Sequence, residues 1–476
     1  MKVLLINPPA LNTIVANNPP LIDEERGINP PLGLLYLASS LREKGIDTEV
    51  LDTQVERLDY EELGRTLEGK KFDVVGITCM TLTLLDVLET IKVVKEINPH
   101  CKIVLGGPHP HIYPQETLNL QGVDYVVMGE GEIVFPQLLL SIREGRSPEK
   151  IPGIGWKENG EIRINPFPGY IENLDELPFP ARELTPYHKY YSILTPRRPV
   201  TTMITSRGCP YSCIFCDRPH LGRKFRARSA ENVVQEMEEC EKLGIKEILI
   251  YDDTFNVDRR RVMEICELKK EKKVGIHWDV RVRVDIFDRE MARKMKEAGC
   301  ERLHFGVEAG TEKILKVLKK GITLEEARRA FQIAKEEGLK TLAYFMIGAP
   351  GETREDILET IEFALKLKPD YTHITILTPF PSTELYKEGV KKGIIPDFWG
   401  EFAREPQKGA RIHYWEEILT ENELQELLKY AYRRFYLRPS FILKEILKIR
   451  SLHDFLLRLK GGWNLLTGRG TRLRSQ

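Results

Sequence analysis

The chain has 476 residues and is 42% hydrophobic, which predicts roughly three domains with cores of ordinary size. Its 71 Lys and Arg residues are balanced by 71 Asp and Glu residues, so the composition as a whole disfavours a nucleic-acid partner. No apolar stretch reaches the roughly 18 residues that a membrane span needs, and no signal peptide is recognised. These features predict a cytoplasmic protein.

Residues 1–150 alternate between apolar strands and amphipathic helices. A buried strand begins at Lys2, a helical pattern runs from Pro31 to Gly45, and further strands are predicted at Asp47 to Leu51, Val74 to Thr78, Ile103 to Leu105 and Tyr125 to Met128. This order predicts a doubly wound parallel sheet, an α/β domain of the Rossmann-like, flavodoxin type.

Ligands of such sheets bind beyond the carboxyl ends of the strands. The polar and glycine residues at these ends are Asn7, Pro8, Thr78, Thr81, Gly106, Gly107, His109, Gly129 and Glu130. Glycine lets a large planar ligand approach the backbone closely, and the absence of G-x-G-x-x-G after the first strand disfavours a dinucleotide. For His109 and His111, ordinary surface roles in a turn are favoured over metal contact.

Residues 151–198 have a weak, proline-rich pattern centred on Leu174 to Arg182. They are predicted to be a linker.

Three cysteines follow an apolar run from Val200 to Thr205. Cys209, Cys213 and Cys216 have C-x3-C-x2-C spacing, so three thiolates can bind one iron–sulfur cubane and leave one iron without a protein ligand. A zinc site with His220 as fourth ligand is the less favoured alternative, and disulfides are disfavoured in an intracellular chain. The other five cysteines are expected to be buried as small hydrophobes.

Residues 199–385 contain six β/α units. Strands are predicted at Thr201 to Thr205, Glu247 to Tyr251, Ile276 to Arg281, Arg302 to Val307, Thr341 to Ile347 and His373 to Leu377. The spacing predicts a partial (β/α)6 barrel whose chemistry collects at the carboxyl face. Candidate ligands at that face are Asp252, Asp253, Arg281, Arg283, Glu308 and Gly348.

Residues 386–476 are predicted to form a helical C-terminal region. From residue 441 onward there are eight Lys or Arg residues against two acids. A helical pair that caps the barrel is favoured over a basic amphipathic tail on an anionic membrane surface.

The cysteine loop, with Phe215 before its last cysteine, resembles that of the radical S-adenosylmethionine (SAM) enzymes. The resemblance implies a 4Fe–4S cluster on Cys209, Cys213 and Cys216, and reductive cleavage of SAM to a 5'-deoxyadenosyl radical. It also implies a set of SAM-binding residues, namely Phe215, Asp252, Asp253, Arg283, Glu308 and Gly348.

The first block resembles the cobalamin-binding domain that precedes many radical SAM domains. The shared motifs are N-P-P at the end of the first strand, P-P-L-G-L-x-Y-L-A, G-G-P-H and G-E-G-E, and they imply cobalamin contacts from the strand-end residues given above. The D-x-H-x-x-G motif is missing, since Ala10, Leu11 and Asn12 follow the first strand. No histidine is therefore expected beneath the cobalt.

The group of enzymes that the chain resembles contains methyltransferases, the anaerobic magnesium-protoporphyrin monomethyl ester cyclase and the hopanoid ring-contracting enzyme. It implies C-methylation of a small molecule, with radical ring formation or oxidation of a tetrapyrrole or isoprenoid lipid as the alternative, and flavodoxin or ferredoxin as electron donor. A transfer-RNA methylthiotransferase would need a second cysteine triplet, where only Cys79 and Cys101 exist. A non-enzymatic cobalamin sensor would have no use for the cysteine triplet.

Overall fold

A computed structural model of the chain describes residues 1–15, 27–195, 197–217 and 222–446, with the side chains of 444–446 excepted. His220 and residues 447–476, to which the zinc alternative and most of the basic tail belong, lie outside the described residues.

The first sheet contains seven strands. The strands up to residue 164 are β1 (Lys2–Asn7), β2 (Gly27–Ile28), β3 (Asp47–Asp52), β4 (Val74–Thr78), β5 (Lys102–Gly106), β6 (Tyr125–Val127), β7 (Ile154–Glu158) and β8 (Glu161–Ile164). Their spatial order is β3-β1-β4-β5-β6-β7-β8, and β2 lies outside this sheet. The five parallel strands follow the flavodoxin order, which confirms the prediction.

Strands β7 and β8 pair antiparallel and extend this sheet, although they fall in the segment predicted to be a linker. Trp156 of β7 is buried, whereas β8 is mostly exposed. A half-exposed edge hairpin lacks the continuous apolar run of a central strand, so the sequence pattern was weak there. The domain boundaries themselves stay predictions.

Helices cover both faces of the first sheet. They are α1 (Leu32–Glu43), α2 (Thr53–Glu56), α3 (Tyr60–Leu67), α4 (Leu84–Ile97), α5 (Pro108–Ile112), α6 (Pro114–Asn119) and α7 (Gly131–Arg143).

The second sheet is an open half-barrel of six parallel strands, as predicted. The remaining strands are β9 (Tyr191–Ser192), β10 (Val200–Met203), β11 (Ser206–Arg207), β12 (Arg226–Ala227), β13 (Glu247–Ile250), β14 (His277–Val282), β15 (Cys300–Glu308), β16 (Lys340–Ile347) and β17 (Tyr371–Ile376). The half-barrel has the order β10-β13-β14-β15-β16-β17.

The helices of this domain are α8 (Ala230–Lys242), α9 (Arg259–Glu271), α10 (Arg289–Glu297), α11 (Glu312–Val317), α12 (Leu324–Glu336) and α13 (Arg354–Leu367). Each begins after a Ser, Thr or Asp whose side chain accepts a hydrogen bond from a backbone N–H of the first turn. Such caps satisfy N–H groups that have no partner inside the helix, and they fix the residue at which each helix begins.

Side chains of the barrel strands alternate between two environments. Val280, Phe305 and Phe345 are buried in the hydrophobic core. The intervening positions of the same strands carry Arg281, His304 and Tyr344 and face the inside of the half-barrel, which is therefore polar.

The C-terminal helices are α14 (Glu384–Lys392), α15 (Phe398–Arg404), α16 (Glu421–Tyr436) and α17 (Pro439–Ile446). Two tyrosines of α16 bind the backbone of the edge strand β17: Tyr432 donates to the Ile374 carbonyl at 2.9 Å, and Tyr436 donates to the Thr372 carbonyl at 2.6 Å. Helix α16 thereby covers the open edge of the half-barrel. No helix in the described part of the chain is long and apolar enough to cross a membrane.

Candidate active site

The cysteine loop is held at both ends. Strands β11 and β12 pair antiparallel on either side of it, and the Cys209 N–H donates to the Gly222 carbonyl at 3.4 Å. At its start, the Asp252 carboxylate accepts hydrogen bonds from the Thr205 N–H at 2.6 Å and the Ser206 hydroxyl at 2.6 Å. Asp252 was predicted to bind SAM, but its carboxylate is buried and fixes the loop. Asp253, beside it, is exposed.

Further contacts fasten the middle of the loop to the barrel. The Ile214 N–H donates to the Leu318 carbonyl at 3.2 Å, and the Ile214 carbonyl accepts from the Leu385 N–H at 3.0 Å. Phe215 is half-buried against the hydrophobic core. The loop is thus fastened at several points before any cluster is bound.

The three cysteine side chains are partly exposed at the carboxyl face. In the described residues, no group of three His, Cys, Asp or Glu side chains is arranged to hold a single metal ion. Cubane ligands sit on separate irons, so the thiolates of a cluster need not converge on one ion.

A buried ion pair lies next to this loop. The Lys320 ammonium donates to Glu308 Oε1 at 2.7 Å, and both side chains are about nine-tenths buried. Glu308 has a φ of +75°, a conformation that costs free energy in a non-glycine residue and that tends to occur at functional sites. Gly306 makes room, since a Cβ there would lie 2.4 Å from Glu308 Oε1.

Arg283 connects the loop to the end of β14. Its guanidinium binds the Asp285 carboxylate at 2.9 and 3.1 Å and lies 3.5 Å from the ring centroid of Tyr211. Burial raises the pKa of the Cys213 thiol, whereas the positive charges of Lys320 and Arg283 lower it. These cations therefore favour the thiolate form that binds iron.

The predicted SAM-binding residue Gly348 lies in a tight turn after β16. It has a φ of +86°, and the N–H groups of Gly348 and Ala349 donate to Glu352 Oε2 at 2.6 and 2.8 Å. Burial raises the pKa of Glu352 to about 7. Its second oxygen is buried and has no hydrogen-bond partner among the described residues.

The carboxyl edge of the first sheet is built around backbone turns. Asn7 Nδ2 donates to the Asp52 carboxylate at 2.7 Å, and the Pro8 carbonyl accepts from Gln54 Nε2 at 3.0 Å. Thr81 Oγ1 lies 3.1 Å from His109 Nδ1. His109 is fully buried, so the expectation of a surface role was wrong, and burial lowers its pKa to about 4.

This edge fits a large planar group such as a corrin ring. Gly106, the register partner of Thr78, has no atom within 4 Å of the place where a Cβ would stand. Gly107 has a φ of +111°, and a Cβ there would lie 2.8 Å from the Cys79 carbonyl oxygen. Two apolar side chains, Leu11 and Met80, are half exposed at the same edge, where an apolar ring would cover them.

Gly129 and Glu130 follow β6. A Cβ on Gly129 would lie 2.3 Å from the Phe167 ring. Glu130 was predicted to contact cobalamin, but its oxygens bind Arg207 at 3.0 Å and Arg226 at 2.8 Å. It also accepts the Ile171 N–H at 2.6 Å.

Glu132 completes a buried network of two acids and two arginines by binding Arg207 at 2.5 Å. Because Arg207 and Arg226 belong to β11 and β12, the network joins the edge of the first sheet to the hairpin that carries the cysteines.

Comparisons with known proteins agree with this geometry. The radical SAM superfamily profile matches residues 203–364, and the B12 binding domain profile matches residues 20–139. An uncharacterized methyltransferase of Pyrococcus horikoshii is 35% identical over 465 residues, 96% of this chain and 96% of that protein. The chain belongs to the cobalamin-binding radical SAM family.

Two further relatives of this radical SAM protein are informative. The anaerobic magnesium-protoporphyrin IX monomethyl ester cyclase of Rubrivivax gelatinosus is 28% identical over 437 residues, 90% of this chain and 77% of the cyclase. The structure of the radical SAM methyltransferase TsrM of Kitasatospora setae, with cobalamin and a 4Fe–4S cluster bound, matches with a TM-score of 0.68 at 22% identity, over 82% of this chain and 78% of TsrM. At this identity the likeness shows the fold.

The predicted fold class, enzyme class and cofactors are thereby confirmed: this radical SAM enzyme uses a 4Fe–4S cluster, SAM and cobalamin. The individual ligand residues stay predictions. Sequence reasoning missed Lys320, Tyr211, Arg207 and Arg226, because the role of each depends on a partner elsewhere in the chain that no sequence pattern reveals.

Proposed function

We propose that the protein transfers a methyl group to an unactivated carbon of a small molecule. The observation that carries the proposal is the buried network between Glu130, Glu132, Arg207 and Arg226. It fastens the cysteine loop to the carboxyl edge of the cobalamin-binding domain, so a radical source and a methyl donor would share one chamber. When bound, SAM and the reduced cluster supply a 5'-deoxyadenosyl radical, and the corrinoid supplies a methyl group.

The protein's own residues hold these groups in place. Cys209, Cys213 and Cys216 would bind three irons, and the nearby cations Lys320 and Arg283 lower the pKa of the Cys213 thiol against the effect of its burial. Glu308, held by Lys320, would present its second carboxylate oxygen to SAM. At the opposite wall, Gly106 and Gly107 would let the corrin approach the backbone.

The alternative is radical ring formation or oxidation, which the similarity to the cyclase supports. Methylation is favoured because the Pyrococcus horikoshii methyltransferase is more identical to this chain than the cyclase is. Its similarity also covers nearly all of both this chain and the methyltransferase. A tetrapyrrole or an isoprenoid lipid is the substrate class that we propose to test first, with flavodoxin or ferredoxin as reductant in the cytoplasm. Contact of the basic tail with a membrane surface stays the less favoured alternative to a helical pair that caps the barrel.

The test is anaerobic reconstitution with iron, sulfide and hydroxocobalamin, then reduction and mass spectrometry of the products of SAM. Formation of both S-adenosylhomocysteine and 5'-deoxyadenosine supports methylation, whereas 5'-deoxyadenosine alone supports the cyclase alternative. Formation of neither refutes both.

A pair of cysteine variants controls this test. Cys213→Ala is expected to abolish the products and the cluster absorbance. Cys266→Ala, which removes a buried thiol from α9, is expected to keep the cluster.

A further inference from the structure

A layer of polar side chains lies inside the half-barrel, below the cysteine loop. It consists of Tyr251, Arg281, His304, Tyr344 and His373. The strand register places Arg281 beside His304 and Tyr344 beside His373. Residues two apart on a strand face the same side and are about 7 Å apart, so this layer lies roughly that far below the layer that contains Arg283.

Arg281 carries a positive charge that the described residues do not compensate. Its guanidinium carbon lies 4.4 Å from the Tyr251 ring centroid, and it forms no ion pair with a described Asp or Glu. The carboxylates below it are already paired, since Arg302 binds Asp279 at 2.7 Å and Glu247 at 3.3 Å. A cation that is half-buried attracts an anionic ligand more strongly than an exposed one, because the surrounding protein screens its charge less than water does.

The layer also supplies a hydroxyl donor. Tyr251 accepts a hydrogen bond from Asn29 Nδ2 at 3.1 Å, which leaves its own hydroxyl hydrogen for another acceptor. The Tyr344 hydroxyl lies 3.0 Å from His304 Nδ1, and His304 Nε2 lies 3.3 Å from the Asp279 carboxylate. Because that carboxylate only accepts, the neutral imidazole donates from Nε2 and accepts the Tyr344 hydroxyl hydrogen at Nδ1. This chain of contacts fixes His304 and Tyr344, and it leaves Tyr251 as the phenol donor of the layer.

We propose that this layer binds the anionic group, a carboxylate or a phosphate, of the substrate. A guanidinium with the Tyr251 hydroxyl beside it suits an oxyanion, because the arginine fork binds two oxygens at once. The substrate carbon to be modified would then lie at the mouth of the half-barrel, near the cysteine loop. This inference rests on the proposed function, because it names the class of substrate for the same chamber.

The competing role for Arg281 is to bind the carboxylate of SAM. Saturating SAM separates the two roles of Arg281. If Arg281 binds the substrate, the site can still bind an added anion when SAM is saturating. If Arg281 binds SAM, the site is already filled. The anion site is therefore measured on the reconstituted protein, anaerobically and with saturating SAM.

Isothermal titration calorimetry with inorganic phosphate and, separately, acetate tests the proposal. The wild type is expected to bind at least one of them, and the better ligand distinguishes a phosphate-bearing from a carboxylate-bearing substrate. Arg281→Gln is expected to weaken that binding about tenfold or more, since hydrogen bonds to charged groups are strong. Tyr251→Phe is expected to weaken it severalfold and serves if Arg281→Gln does not fold.

The matched control is Arg260→Gln, which removes an exposed arginine of the same domain and is expected to keep the wild-type affinity. Anomalous diffraction from crystals soaked in selenate adds a positional test, with a peak expected beside the Arg281 guanidinium. The inference is overturned if the wild type binds neither anion, if Arg281→Gln binds as well as the wild type, if the peak lies elsewhere, or if Arg281→Gln loses affinity for SAM.

The two proposals fail separately. A wild-type protein that forms no products from SAM refutes the proposed function. A wild-type protein that forms them but binds neither phosphate nor acetate refutes the anion site alone.

Discussion

Substitution of Glu130 by alanine tests whether the acid–arginine network joins the two domains. The side chains of Glu130, Arg207 and Arg226 are 3%, 7% and 1% exposed. Glu130→Ala would remove the carboxylate that binds Arg226 at 2.8 Å, the acceptor of the Ile171 N–H and one of the two carboxylates that bind Arg207. Breaking a buried ion pair by removing one partner costs about 3–5 kcal/mol, and we expect a loss of unfolding free energy in this range.

The assay is urea-induced unfolding, together with hydrogen exchange of the peptides that contain Ile171 and Arg226. Exchange in both is expected to become faster, because the same carboxylate binds both residues. Glu183→Ala is the matched control, because it removes an exposed ion pair: the Glu183 side chain is 53% exposed and its partner Arg42 is 50% exposed. Exposed pairs contribute about 0–1 kcal/mol.

The reasoning would be refuted if Glu130→Ala were no less stable than Glu183→Ala. If Glu130→Ala kept its stability and lost only cobalamin, the prediction that Glu130 contacts cobalamin would be supported.

Three further predictions concern the site itself. Burial makes native Glu352 bind its proton more tightly than the unfolded chain does, so the contribution of Glu352 to wild-type stability is expected to fall by about 3 kcal/mol as pH rises from about 4.5 to 7. Urea unfolding at pH 5 and pH 8 should show a smaller fall for Glu352→Gln, and parallel curves would contradict this assignment. Gly106→Leu is expected to lower hydroxocobalamin retention in equilibrium dialysis with little change in unfolding free energy. Gly107→Ala should lower both quantities, because only the Cβ at residue 107 would meet the protein backbone. Equal effects of the two variants in both assays would argue against a corrin at this edge. Lys320→Met leaves Glu308 buried without a cation, and it is expected to lower the unfolding free energy by about 3–5 kcal/mol and to reduce bound iron. The control Lys319→Met changes an exposed neighbour and should lower the unfolding free energy by about 1 kcal/mol or less.

The sequence predicts regular structure well here because each element has a local cause. Parallel strands buried on both faces are continuous apolar runs, and Ser, Thr or Asp caps mark the helix starts. All six barrel strands and the flavodoxin order could therefore be predicted. The hairpin of β7 and β8 could not, because it lies at a half-exposed edge.

Side-chain roles are harder to predict, because partners far apart in sequence decide them. Asp252 stands at a strand end, as a ligand would, but its partners Thr205 and Ser206 fix the cysteine loop. Glu130 lies in a turn typical of cobalamin-binding domains, yet it binds arginines more than 70 residues away. Position along a strand identifies the face of the sheet, whereas packing determines which group each polar atom meets.

The tyrosines of α16 have a consequence for shortened versions of this protein. Without Tyr432 and Tyr436, the backbone amides and carbonyls of β17 would be left open to strands of other molecules. A truncation before residue 421 would therefore be prone to self-association even if its cofactor chamber were unchanged. Expression trials that trim the C-terminal region should keep this helix.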